Sequence, residues 1–188
     1  LPTDREWSVF ADFAQETGAT PAGRDLRHRD VFPWGKGWPP PPGVGNYTAM
    51  EGRDDSCEFT SPVGSFRPNR FGLFDLGGNV WEWCEDAFEG TFDPAQPDGT
   101  LRGGSYMTML EDQISLSRRR WPNRLINTRI TEFGFRIVLG PRKPSPANAD
   151  KLGPRLTNSL GMVFARVGPL YFSVWETRVQ DFTAFAEA

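Results

Sequence analysis

Apolar positions at Trp7, Phe10, Ala11 and Ala14 recur at helical spacing behind Thr3-Asp4-Arg5-Glu6. The chain therefore opens on a predicted helix over residues 4–16. Thr3 and Glu6 stand in capping-box register, each able to satisfy the other's exposed backbone N–H. Gly18 closes the pattern. From residue 19 to about residue 70 the periodicity disappears under turn-forming residues. The run Trp38-Pro39-Pro40-Pro41-Pro42-Gly43 is barred from helix and from central strand. The flanking Trp34, Trp38 and Tyr47 mark a loop packed on the body rather than a free polyproline spacer. Strand-like alternation returns at residues 79–84, 101–107, 114–117 and 134–139.

Residues 141–155 are rich in Pro, Lys and Ala with almost no large apolar side chain, the composition of a linker. Beyond it, residues 162–167 and 171–175 predict a strand pair turning at Gly168-Pro169. A second capping box at Thr177-Arg178-Val179-Gln180 predicts a short helix with Val179, Phe182 and Phe185 on one face. Roughly 35 residues forming one hairpin and one helix cannot bury a core alone.

Composition narrows the classes. The 21 Lys and Arg residues nearly balance the 24 Asp and Glu residues. No polybasic run or aromatic-basic stripe argues for nucleic acid, and Arg118-Arg119-Arg120 reads as a source of local salt bridges. No apolar run approaches the roughly 18 residues that span a bilayer, so no membrane segment is expected. No leader is visible, and a chain starting at Leu1 rather than Met is expected to be a piece of a longer protein. The compartment stays open. With 20 Gly, 17 Pro and 7 Trp, the expected domain is loop-rich, its irregular backbone pinned by large rings. Cys57 and Cys84 are too few for a disulfide framework, and sequence leaves their pairing undecided.

Five stretches in order then carry a resemblance. Residues 71–83, FGLFDLGGNVWEW, resemble the GLYDMxGNVWEW signature of the formylglycine-generating-enzyme, or sulfatase-modifying-factor, family. Arg102-Gly103-Gly104-Ser105-Tyr106 resembles its RGGSW/Y motif, and Gly134-Phe135-Arg136-Ile137-Val138 its GFRxV strand. Leu1-Pro2-Thr3-Asp4-Arg5-Glu6-Trp7 is similar to the family's RLPTEAEW, and Phe32-Pro33-Trp34-Gly35 to its YPWG. The resemblance implies an α+β, C-type-lectin-like fold, loop-rich with short antiparallel strands and few helices, over residues 1–140. Residues 156–188 resemble the opening of another copy, while residues 1–140 begin at the Leu-Pro-Thr helix without such a segment. A tandem array is therefore expected, with 156–188 folding back to complement the body.

For chemistry, the resemblance implies calcium at Asp75 and Glu82 through carboxylates and at Gly78 and Val80 through carbonyls. Such a mixed oxygen set suits Ca²⁺. The alternative is that Asp75 caps a turn and Glu82 pairs with an arginine. A second implied calcium set is Asn46, the Tyr47 carbonyl, Asp55 and the Cys57 carbonyl, anchored by the following Ser61-Pro62-Val63-Gly64; a polar surface loop is the alternative. The family's aerobic enzymes bind copper(I) through two cysteines that would fall on Thr108 and Gln113. Copper(I) requires soft thiolates, so copper is not expected. Cys84 reads as a small buried residue. His28 is the single histidine, short of the two that an iron facial triad needs, and reads as a solvated loop residue.

The family's ligand groove would be lined by Ser105, Tyr106, Trp121, Asn123 and Arg124. Arginine and tryptophan there suit carboxylate, phosphate or peptide recognition. Otherwise Trp121 fills the core while arginines pair with Glu111, Asp112 or Glu132. The leading expectation is a calcium-stabilised binding or accessory module, with an open protein or small-molecule ligand and neighbouring domains of the same chain as partners. The rival is a metal-dependent oxidoreductase that completes the same groove with residues from a neighbouring domain.

Overall fold

Helix α1 (Asp4–Phe10) starts with the expected capping box: the Thr3 hydroxyl accepts from Glu6 N–H, and the Glu6 carboxylate accepts from Thr3 N–H at 2.8 Å. This is seen in a computed structural model, which describes residues 1–47, 57–89, 98–119, 131–139, 155–157, 162–168 and 170–178. The helix stops short of the expected residue 16. Asp12 turns left-handed at φ 64°, which ends the ladder and swings Phe13 into the core. It also aims the Glu16 carboxylate inward, at 2.7 Å from the Ser8 hydroxyl and onto Arg119. Tertiary demand for that carboxylate overrides the helical pattern. Ala14 is exposed.

Helix α2 (Pro21–Arg24) is one turn, capped by Thr20. Strand β1 (Trp81–Phe88) lies at the centre of the first sheet. It pairs antiparallel with β2 (Asp98–Arg102), with Glu82 opposite Arg102 and an irregularity between Trp83 and Ala87. Its other edge runs parallel to β3 (Phe133–Phe135). Residues 114–117 are not the expected strand. Helix α3 (Glu111–Ile114) occupies their start. The hydroxyls of Ser115 and Ser117 then bond the His28 carbonyl, and Leu116 N–H bonds the Val31 carbonyl. The segment satisfies its polar groups on a loop, so no ladder forms.

Residues 134–139 were expected as one strand and form two. Strand β3 belongs to the first sheet, and β4 (Val138–Leu139) to a second sheet ordered β4-β7-β6-β5. The break falls where the Arg136 side chain plunges inward. The second sheet is completed by β5 (Arg155–Thr157), β6 (Val163–Val167) and β7 (Leu170–Ser173). Arg155 thus belongs to a strand and not to the linker. β6 and β7 form the expected hairpin, with Phe164 opposite Ser173 and Val167 opposite Leu170. Thr177 and Arg178 form strand β8 on β3, where a helix start was expected. Val179, Phe182 and Phe185 lie outside the described residues.

The main core gathers Trp7, Phe10 and Phe13 around Leu73, Leu76, Cys84 and Leu116, together with Ala165, Val167, Phe172 and Val174. Phe10 and Phe172 have ring centroids 4.2 Å apart. A satellite of Phe32, Tyr47 and Ile114 is roofed by Trp34, stacked on Phe32 at 4.9 Å. Trp34 and Tyr47 beside the proline run are thus packed on the body, whereas Trp38 is exposed and only meets Phe32 at 5.8 Å between ring centroids. Among the described residues, no helix is long and apolar enough to cross a membrane.

Candidate functional site

Asp75, Gly78 and Asn79 each take positive φ, at 56°, 76° and 59°. Asp and Asn tolerate this region better than other side chains do. Gly77 and Gly78 are required by close approach: a Cβ on Gly77 would stand 2.2 Å from Pro33 Cγ, and one on Gly78 would stand 2.3 Å from the Asn46 carbonyl oxygen.

Asn79 is the hub. Its Oδ1 accepts from Ser61 N–H at 2.9 Å and from Asn46 Nδ2 at 3.3 Å. Its Nδ2 donates to Glu176 Oε1. Its backbone N–H donates to the Asn46 carbonyl, and its carbonyl accepts from Tyr106 N–H, both at 3.0 Å. One fully buried residue thus bonds residues 46, 61 and 176 through its side chain and residue 106 through its backbone. Sequence reasoning noted Asn79 within its motif and did not single it out. The signal was an Asn beside Gly-Gly, able to hold a left-handed turn and to offer a donor and an acceptor at once.

Beneath the turn lies a buried charge cluster. The Glu82 carboxylate receives Arg136 Nε at 3.2 Å on both oxygens, Arg136 Nη2 on Oε1, and the Trp7 indole N–H at 2.9 Å on Oε2. Arg136 Nη1 also donates to the carbonyls of Ser173 and Val174, each at 3.0 Å, and Nη2 to the Phe74 carbonyl at 2.9 Å. Glu176 lies 3.7 Å from the same guanidinium. Burial, then the Asp75 charge, pushes the Glu176 carboxyl well above its ordinary range, with Arg136 opposing. Asp75 Oδ2 accepts from Gly64 N–H at 2.8 Å. Burial and the same Asp75 charge push the Tyr47 phenol up.

These contacts bear on calcium. Glu82 meets an arginine, the alternative raised from sequence. An ion on the set Asp75, Gly78, Val80 and Glu82 would therefore have to share the Glu82 carboxylate with the Arg136 guanidinium. In the second set, buried Asn46 donates to the Phe59 carbonyl at 2.8 Å, two residues beyond Cys57. Tyr47 follows directly in the chain, and Asp55 lies outside the described residues. Amide and carbonyl oxygens of that kind fit calcium. Among the described residues, no group of three or more His, Cys, Asp or Glu side chains could hold a metal ion.

At the copper positions, the buried Thr108 hydroxyl accepts from Ser105 N–H at 2.9 Å, and Gln113 lies in α3. Ser105 Oγ donates to Glu132 at 2.8 Å, and the Tyr106 hydroxyl meets Thr131 at 3.2 Å. Phe59, Met107, Met109 and Leu110 are exposed, with Phe59 edge-on to Tyr106 at 6.2 Å. Trp121, Asn123 and Arg124 lie outside the described residues. Cys84 is buried on β1, where burial pushes its thiol up, and no disulfide joins it to Cys57. His28 is not the solvated residue expected. It is partly buried, edge-on to Phe13 at 5.3 Å, with its backbone bonded to Ser115 and Ser117.

A second buried ionic group anchors α1 in the body. Asp4 receives Arg24 at 2.6 Å, Arg119 at 3.0 Å and Arg102, while Glu16 receives Arg119. Arg102 also lies 4.3 Å over the Trp7 ring. Of the Arg118-Arg119-Arg120 run, Arg118 pairs with Asp25 and Arg119 with Asp4 and Glu16, while Arg120 lies outside the described residues.

Fold and site together define a loop-rich α+β domain whose irregular turns are clamped by buried ion pairs. The family model for the sulfatase-modifying factor enzyme 1-like domain matches residues 1–140, and the chain belongs to that family. It is 38% identical over 119 residues to a formylglycine-generating enzyme of Streptomyces coelicolor, covering 57% of this chain and 36% of that protein. It is 32% identical over 152 residues to the inactive C-alpha-formylglycine-generating enzyme 2 of Mus musculus, covering 77% of this chain and 44% of that protein. The chain thus spans well under two thirds of either relative. A crystal structure of CarF aligns at TM-score 0.45 with 26% identity, over 72% of this chain and 44% of that one.

Proposed function

We propose that this domain is a binding or accessory module on the formylglycine-generating-enzyme scaffold, without the copper-dependent oxidation. The observation that carries this reading is the floor of the groove. Thr108 and Gln113 stand where thiolates would be needed, and the Thr108 hydroxyl is spent on holding Ser105. A relative named as inactive matches over most of the chain, which supports the same reading. Ser105 and Tyr106 form the base of the binding face, with exposed Phe59, Met107, Met109 and Leu110 as its apolar part. Trp121, Asn123 and Arg124 supply the recognition groups for a carboxylate, phosphate or peptide ligand. Its test is incubation with copper(I), oxygen and a sulfatase-type cysteine peptide; no aldehyde product is expected.

Calcium is proposed as a structural ion at Asn46, the Tyr47 carbonyl, Asp55 and the Cys57 carbonyl. An ion at a hundredfold its Kd stabilises by about 2.7 kcal/mol. Chelator should then lower the melting temperature by roughly 5–10 °C. Superimposable melting curves would rule the ion out.

A further inference from the structure

We propose that residues 155–178 are an exchangeable complement, and that the seat they fill on residues 1–139 accepts the same segment from a second copy of this chain. The inference rests on the packing and is independent of the oxidase question.

The segment is seated by main-chain bonds and apolar side chains together, the terms of strand addition. Gly134 and Phe135 pair with Arg178 and Thr177, and Val138 and Leu139 with Phe172 and Tyr171. Between the two ladders, Ser173 N–H donates to the Ile137 carbonyl at 2.8 Å, and Phe74 N–H to the Val174 carbonyl at 3.0 Å. Phe172 and Val174 enter the core beside Phe10, and buried Glu176 reaches Asn79 and Arg136. The segment also has its own ladder, β5-β6-β7, so it can move as a unit.

The connection does not dictate which body is filled. Residues 140–154 hold four prolines and one large apolar residue, Leu152. Fully extended, they reach roughly 50 Å, enough for their own body or a neighbour's. Every contact above can therefore be made between copies, the condition for swapping. Within one chain the effective concentration is millimolar, so the closed monomer dominates in dilute solution.

The test uses the full chain with a site-specific protease sequence placed after Ala149. After cleavage, the two pieces should remain together on size exclusion. Light and isotopically heavy nicked proteins, unfolded and refolded together, should then give mixed and unmixed body–segment pairs in comparable amounts by native mass spectrometry. Separation of the nicked pieces at micromolar concentration, or an absence of mixed pairs after joint refolding, would overturn the proposal. Glu176→Leu removes the acceptor from Asn79 and should weaken retention of the segment on the order of tenfold. Glu176→Gln keeps that acceptor and should restore retention; equal loss in both variants would count against the seat as drawn.

Discussion

Replacing Asp4 with asparagine is expected to destabilise the fold by about 3–5 kcal/mol, a large share of the total for an ordinary domain. Asp4 is completely buried and meets three arginines, Arg24, Arg102 and Arg119. The Asn variant keeps the shape and loses the charge, leaving Glu16 to pair with Arg24 and Arg119 only. The cost is therefore that of uncompensated buried cations, and not of a cavity. It should also carry a pH signature. Burial alone would raise the Asp4 carboxyl, but the charges of Arg102 and Arg119 and the hydrogen bonds from Arg119 and Arg24 outweigh it and hold the group far below its ordinary 3.8. A depressed folded-state value means stability that is fully present above that ordinary value and is lost as the pH falls through the acid range. Urea unfolding at pH 7 should show the full gap between wild type and Asp4→Asn, and the gap should narrow below pH 4. A gap under about 1 kcal/mol at pH 7 would mean that the network is not bracing α1.

The second large effect is expected at Arg136. Its guanidinium compensates Glu82 and Glu176 and closes the carbonyls of Phe74, Ser173 and Val174. Arg136→Leu strands those acceptors and leaves buried carboxylates without a cation, at a cost of about 4 kcal/mol or more. Adding Glu82→Gln to that variant removes one of the stranded charges while keeping an acceptor for the Trp7 indole. The double variant should recover part of the loss, a coupling that unfolding measurements on the four proteins would read directly. Amide exchange at Phe172–Val174 should quicken in Arg136→Leu, because the side chain clamps that strand to the body. Simple additivity, with exchange unchanged, would make Arg136 a spectator.

The local signals in the sequence were legible where neighbours in the chain decide the outcome. The Thr3–Glu6 capping box and the β6–β7 hairpin are of this kind, since their partners lie within a few residues. Motifs in order revealed the family. Distance in sequence hid the rest. The helix ends at Phe10 because Glu16 is wanted by Arg119, more than a hundred residues away in the chain. Residues 134–139 split because Arg136 must turn toward Glu82, so one apolar run feeds two sheets. Residues 115–117 look like a strand and are held by the carbonyl of His28 instead. Asn79 as hub is invisible in any window, because its partners come from residues 46, 61, 106 and 176. At the site, Glu82 was legible as an acid that meets an arginine or an ion, and the arginine it meets, Arg136, lies 54 residues away in the chain.

On the proposed reading, this domain differs from the copper-using members of its family at Thr108 and Gln113. The most direct measurement is turnover of a cysteine-containing sulfatase peptide under copper(I) and oxygen, followed by mass spectrometry, with the Streptomyces coelicolor enzyme run alongside. The expected result is aldehyde from that enzyme and unmodified peptide from this domain, since Thr108 and Gln113 offer copper(I) no thiolate. Aldehyde formed by this domain at a comparable rate would contradict the reading and would place the oxidation on groups other than that pair.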